Sequence, residues 1–459
     1  MRSILANRTA RVTLALTTAL VLLSTACATP VAAPPSGSGQ PATTPSPSGA
    51  ATVPPGSASP TTATPSTLPP PSSDAWLAVG RKGDAGLQVI LASGGDPMFD
   101  ALPTGVPLDA QWGRLITTEP NGASTIVRNV AVQPGFDGIA TKIAGAWRLP
   151  TIGSDPVPVG VSANGQTIVL VEADGSPGAS PTRFAVLTRG VSDPARIVEL
   201  RGRFDYDALS PDGKTLYVVE HLDTITGGRY QVRAVDVARG SLRDGIVVDK
   251  TKVDEPMAGY PLAQVRRPDG LALTLYRGRE HPFIHALNTA EGWAVCLDLP
   301  GNGDDVASGD WGLAASPDGS LVYAANATLG LIAEVDPAQL QVRRSVTFRP
   351  LAGAGIVLAK FGHQQTGPTG RRVIVGPNGR VVYAAGTEGI VALDVATLAV
   401  VGRFESGQAV EALAATPDGG TLYALLHDGR IVKLDALTGK RLATVPGNDF
   451  DRLVAVVPW

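Results

Sequence analysis

The run LSPDGKTLYVV at residues 209–219 returns as ASPDGSLVYAA at 315–325, VGPNGRVVYAA at 375–385 and ATPDGGTLYAL at 415–425. Looser copies are VSANGQTIVLV at 161–171 and VRRPDGLALTL at 265–275. Each begins with a turn and continues as a short apolar strand. Asp-Gly and Asn-Gly favour tight hairpins because both residues tolerate positive φ. In four copies a tyrosine stands four residues beyond the glycine, at Tyr217, Tyr323, Tyr383 and Tyr423. The two-residue period of a strand puts all four on one face, as repeated packing residues.

A second element follows each turn: VRAVDVARG, IHALNTAEG, LIAEVDPAQ, IVALDVATL and IVKLDALTG. Asp236, Asn288, Asp336, Asp394 and Asp435 hold the equivalent place, where a side-chain oxygen accepts local backbone N–H bonds and sets the next turn. The unit therefore parses as strand, hairpin, strand, loop, strand ending in Asp, turn, strand. Four short antiparallel strands in 40–60 residues make one propeller blade. The turn glycines lie 50.8 residues apart on average, so the 386 residues of 74–459 hold 7.6 such units. Merging the weak units at 74–105 and 109–150 gives seven blades, the favoured count. Keeping them separate gives eight. The run RLVAVVPW at 452–459 is a strand with no hairpin partner after it, and pairing with the first strands would close the ring. The expected fold is all-β, a single propeller of four-stranded antiparallel blades.

The runs ALSPDGKTLYVVE, AASPDGSLVYAAN and AATPDGGTLYAL resemble the YVTN-type and WD40-like repeats of secreted bacterial β-propellers, over most of residues 159–447. FDALSPDGKTLYVVEHLD and FIHALNTAEGWAVCLDL are similar to a group of secreted actinobacterial propeller proteins. The resemblance implies the fold. It implies no particular reaction, because propellers host lactonases, quinoprotein dehydrogenases and parts of envelope complexes alike.

The N-terminus reads as an export signal over residues 1–26. Arg2, Arg8 and Arg11 precede the apolar run VTLALTTALVLL at 12–23, and Ser24-Thr25-Ala26-Cys27 follows. That run is shorter than the roughly 20 residues needed to cross a bilayer. STAC resembles the bacterial lipoprotein signal, in which the cysteine is acylated and becomes the new N-terminus; Ser24 stands where that signal prefers Leu. Ordinary secretion is the alternative. Residues 28–73 carry no charge and 13 prolines, a composition that buries too little apolar surface to fold and suits a spacer. The expected order is a signal, a lipid anchor at Cys27 with its linker to 73, and a propeller over 74–459.

Composition narrows the function. A formal net charge of -3 argues against a non-specific nucleic-acid binder, whose affinity comes from a basic surface. Two cysteines and five histidines leave little for a disulfide framework or a multi-histidine metal cage. Cys296, in the strand-like AVCL, reads as a buried small hydrophobe. GNGDDVASGD at 301–310 lacks calcium-loop spacing, and no Ser-His-Asp or nucleotide-binding pattern stands out. No catalytic residue, metal or cofactor is expected.

Insertion length concentrates on the face opposite the Pro-Asp-Gly turns. There the sequence places Asp205, Asp207, His221, Asp223, Asp254, Glu255, Tyr260, Arg277, Arg279, Glu280, His281, Asp304, Asp305, Asp310 and Trp311. This is the expected binding face for a protein, peptide or glycan of the cell envelope, on a monomer held to the membrane by its lipid. An extracytoplasmic hydrolase or lactonase working at the channel mouth is the alternative.

Overall fold

The computed structural model describes residues 74–457, apart from 85, 96, 98–104, 110–111, 132–137, 154, 174–180, 193, 225–226, 248–255, 304 and 352–368. Its sheets are antiparallel and follow chain order, except where the C-terminal strand Phe450–Val457 joins the first strands and pairs in parallel with Thr369–Gly370, and the helical element among the described residues is the 3-10 turn Val306–Asp310. The protein is an all-β propeller of four-stranded antiparallel blades.

The described residues form eight blade units, numbered here along the chain. Blade 1 holds Trp76–Arg81 and Gln88–Leu91, and takes Phe450–Val457 from the C-terminus as its inner strand. Blade 2 runs from Gly105–Pro107 to Ile139–Ala144, and blade 3 from Trp147–Arg148 to Arg196–Leu200. Blade 4 spans Phe204–Leu209 to Ser241–Leu242, and blade 5 spans Met257–Arg266 to Trp293–Asp298. A ladder of only two residue pairs, Arg229↔Ala258 and Tyr230↔Met257, joins those two into one sheet. Blades 6, 7 and 8 begin at Gly312–Ala315, Val373–Val375 and Val410–Ala415. The favoured count of seven is thus replaced by eight. Residues 74–105 supply a blade only because the distant C-terminal strand completes it, and that gain is invisible in a local repeat.

Apolar clusters fill the seam between each blade and the next. Blades 7 and 8 share Tyr383, Ile390, Leu413 and Leu434, and blade 8 in turn meets blade 1 through Leu425, Ile431, Leu77 and Leu453. The repeated tyrosines sit in these seams, all nearly inaccessible to solvent. Tyr217 Oη donates to the Thr289 carbonyl of blade 5 at 3.0 Å, and Tyr383 Oη donates to the Ala436 carbonyl of blade 8 at 2.8 Å. One sequence position therefore supplies both apolar area and the same inter-blade hydrogen bond in two seams.

The hairpins differ from the expectation in one respect. Gly213 and Gly319 have φ of +72° and +68°, but the aspartates before them are not in the left-handed region. Gly213 N donates to the Ser210 carbonyl at 2.8 Å, while Asp212 Oδ1 accepts from Ser210 Oγ at 2.8 Å and Lys214 N at 3.0 Å. Pro and Asp occupy the turn proper, and glycine takes the positive φ after it. The strand-end carboxylates behave as read: Asp336 Oδ1 accepts from Ala338 N at 3.0 Å and Gln339 N at 2.9 Å.

Candidate functional site

Inner strands run toward the Pro-Asp-Gly turns, so the starts of the inner strands and the second-to-third-strand loops gather on the opposite face. On blade 4 of that face, the His221 imidazole lies 2.8 Å from Asp205 Oδ2. Asp223 accepts Arg229 N at 3.0 Å and so closes its own loop. Tyr260 is partly exposed on the inner strand of blade 5, with its ring against Gly227. Arg277 donates to the carbonyls of Gly303 and Asp305, at 3.1 and 3.0 Å, pinning the connection that follows blade 5. Arg279 is exposed, and His281 Nε2 sits 2.9 Å from Asp298 Oδ1. Asp310 accepts Thr328 Oγ1 at 2.8 Å. Cys27, Asp254, Glu255 and Asp304 lie outside the described residues.

Two residues assigned to this face belong to the interior. Trp311 is 2% exposed in the seam between blades 5 and 6, because it opens an inner strand whose side chains pack against the neighbouring blade. Asp207 is 1% exposed. The ladder slips between Tyr206 and Ala208, so Asp207 is an extra residue that the bulge turns inward. Its Oδ2 finds no hydrogen-bond partner among the described residues, and burial pushes the carboxyl up to about 7.

The sequence reading missed an ionic network at the axis. Arg372 forms ion pairs with Glu411 and with Asp310, the latter at 3.8 Å, and the His427 imidazole reaches Glu411 at 2.8 Å. Its signal was available: Asp205 and His221 stand eight residues before and after Gly213, and Glu411 and His427 stand likewise around Gly419. The same carboxylate–imidazole pair thus recurs on blades 4 and 8, which face each other across an eight-membered ring. These groups satisfy one another, and no nucleophile stands among them.

Two segments fill the axis. Thr369–Gly370 pairs in parallel with Arg452–Leu453 of blade 1, and the Arg371 carbonyl accepts Leu413 N at 2.9 Å. Residues 149–153 and 155–158 interrupt the inner strand of blade 3 and reach toward the neighbouring blades. Gly153 lies so close to blade 5 that a Cβ there would sit 2.2 Å from the Leu262 carbonyl oxygen. Asp155 is 3.7 Å from Arg371, and Val157 packs against the apolar cluster that includes Ala78, Val89 and Val454 of blade 1. A small space between these segments, beside Trp311 and Arg372, is about 20 Å³ among the described residues, room for a water molecule.

A larger recess, about 430 Å³, opens instead on the short-turn face among blades 2 to 5. Val106, Leu108, Val161, Leu209, Pro211 and Leu271 wall it, and its ionisable lining residues are Arg266 and Arg267. Arg267 is held by Asp269 at 2.8 Å. Nearby, burial pushes the Tyr206 hydroxyl up to about 12, an effect the Arg266 charge partly opposes.

No family model matches the chain, and no curated protein does. Solved structures similar to it include the Kuenenia stuttgartiensis hydrazine synthase, with a TM-score of 0.35, 18% identity, and coverage of 60% of this chain and 75% of that one. The dihydro-heme d1 dehydrogenase NirN in complex with DHE gives 0.47 and 14%, over 82% of this chain and 74% of that one. The computationally designed Ika8 protein gives 0.40 and 13%, over 84% and 90%.

Proposed function

We propose that this chain is an exported propeller, tethered through Cys27 to the outer face of the cell membrane, whose loop-rich face binds a protein, peptide or glycan of the envelope without chemistry of its own. The observation that carries this reading is the polarity of the ring. Trp76 pairs with Val457 at the short-turn end of blade 1, so the first described strand starts on that face, opposite the loop-rich one. Lipid supplies the attachment: acyl chains contribute about 0.8 kcal/mol per buried CH₂, and stable anchoring takes two or more signals. No helix among the described residues is long and apolar enough to cross a membrane.

The charged groups at the loop-rich end support a recognition role. Imidazole–carboxylate pairs at His221, His281 and His427 present partly exposed polar edges held in fixed positions. The hydrolase or lactonase reading is favoured by the 430 Å³ recess, but the ionisable residues lining it are two arginines, which supply neither a general base nor a nucleophile.

The test is site-specific photo-crosslinking of the full chain in its native host, with the photoreactive residue at Leu222 or Arg279 on the loop-rich face and at Lys214 on the other. One discrete envelope adduct from the first two positions and none from Lys214 is expected. Equal labelling from both faces sinks the face assignment. Cys27→Ser should release the protein from the membrane fraction, and unchanged retention removes the lipid anchor from the proposal.

A further inference from the structure

At the outer part of the seam between blades 4 and 5, three sulfur and nitrogen side chains from separate strands meet. His285 and Cys296 are direct cross-strand partners in blade 5, which sends both side chains to one face of the sheet. Cys296 Sγ lies 3.9 Å from His285 Nδ1 and 3.5 Å from Met257 Sδ. Met257 reaches them from the start of the inner strand, where it pairs with Tyr230 of blade 4. Tyr230 stacks on Tyr276 at 5.1 Å between centroids, Tyr276 stacks on Phe283 at 5.2 Å, and the Tyr276 ring meets His285 edge-on at 6.3 Å. The Tyr230 side chain is 1% exposed, and burial raises its hydroxyl well above the ordinary tyrosine range.

We propose that Met257, His285 and Cys296 form a binding site for a soft monovalent metal ion, copper(I). Thiolate and thioether ligands select copper(I) over harder ions, and imidazole accommodates it. The two separations from Cys296 Sγ are close to those an ion needs. A three-coordinate ion with sulfur at about 2.3 Å and nitrogen at about 2.0 Å separates its ligand atoms by about 4.0 Å for two sulfurs and about 3.7 Å for sulfur and nitrogen. The separations of 3.5 and 3.9 Å differ from these by a few tenths of an ångström, within reach of small χ rotations. Charge argues for the same ion: a thiolate with a monovalent cation is neutral, which an aromatic seam tolerates, whereas a divalent ion leaves a net positive charge without a counter-ion. On binding, the Cys296 S–H bond breaks, its proton goes to solvent, and the sulfur lone pair forms the S–Cu bond. His285 supplies the Nδ1 lone pair and keeps its proton on Nε2; Met257 donates through sulfur unchanged. No oxidation state changes. Cys296 and Met257 are half-buried, so an ion from solvent reaches the sulfurs first and His285 last.

The full chain, titrated anaerobically with copper(I) held by the chromophoric chelator bicinchoninate, should withdraw one equivalent of the ion. X-ray absorption of the complex should show two sulfurs and one nitrogen. Cys296→Ala should abolish the withdrawal, and Met257→Leu, which conserves volume and leaves the far-ultraviolet circular dichroism unchanged, should weaken it at least tenfold. Cys27→Ser should leave it intact. Absence of withdrawal by wild type, equal withdrawal by Cys296→Ala, or loss on Cys27→Ser alone overturns the site. Full-strength binding by Met257→Leu overturns the three-ligand assignment.

Discussion

Gly213 and Gly319 occupy the same place in the same turn, with φ of +72° and +68°, but they have different neighbours. A Cβ on Gly319 meets open space, the nearest atom being Arg267 Nη1 at 4.0 Å. A Cβ on Gly213 would lie 2.1 Å from Thr167 Oγ1 and 2.5 Å from Thr167 Cβ, against the adjoining blade 3. Thr167 is 4% exposed and has no room to withdraw. Gly319→Ala should therefore cost only the left-handed backbone, about 1–2 kcal/mol. Gly213→Ala carries the same backbone term and adds overpacking of a buried seam, typically about 1–3 kcal/mol more. Urea unfolding followed by tryptophan fluorescence measures both, with midpoints compared at equal slope. The expected order is wild type, then Gly319→Ala, then Gly213→Ala as the least stable. Equal midpoints for the two variants would refute the close approach of blades 3 and 4 at this turn. If neither variant differs from wild type, the turn conformation itself is wrong.

Asp207 gives a pH dependence of opposite sign to the usual carboxylate. Burial raises its folded pKa from 3.8 to about 7, so between those values the folded chain holds a proton that the unfolded chain has released. Stability is therefore greatest at or below pH 3.8 for this group and falls as pH rises toward 7, by on the order of 4 kcal/mol in total. In Asp207→Asn, that fall should vanish from urea midpoints measured across the same window; a wild type and variant with parallel profiles would rule it out. Deleting residues 450–459 removes the inner strand of blade 1 and exposes the edge of Trp76–Arg81. The truncated chain should lose more than the roughly 0.5–3 kcal/mol of a point change, and an unchanged melting temperature would end the closure argument.

Local chemistry decided what could be read directly. A Ser-Pro-Asp-Gly turn, a tyrosine four residues on and a strand-ending aspartate are all satisfied by bonds within a few residues or by the same seam in each repeat. Their recurrence therefore specified the propeller and its strand order. The paired positions eight residues either side of Gly213 and Gly419 are equally regular, because the hairpin brings each carboxylate opposite its histidine. The unpartnered strand at 452–459 also announced the closure, and Phe450–Val457 does return to Trp76–Arg81 across the whole domain. The tertiary structure alone decided which individual side chains meet between blades and at the axis. Trp311 and Asp207 are buried because a neighbouring blade and a bulge enclose them, which their polar surroundings in sequence did not announce. Arg372 meets Asp310 and Glu411, and Asp155 meets Arg371, only because two irregular segments converge on the axis. Met257 comes within 3.5 Å of Cys296, 39 residues away, through pairing that no periodicity in the chain encodes. A repeat specifies the contacts each blade makes with itself, while the sites at the axis and between blades arise from side chains that the repeat leaves free to differ.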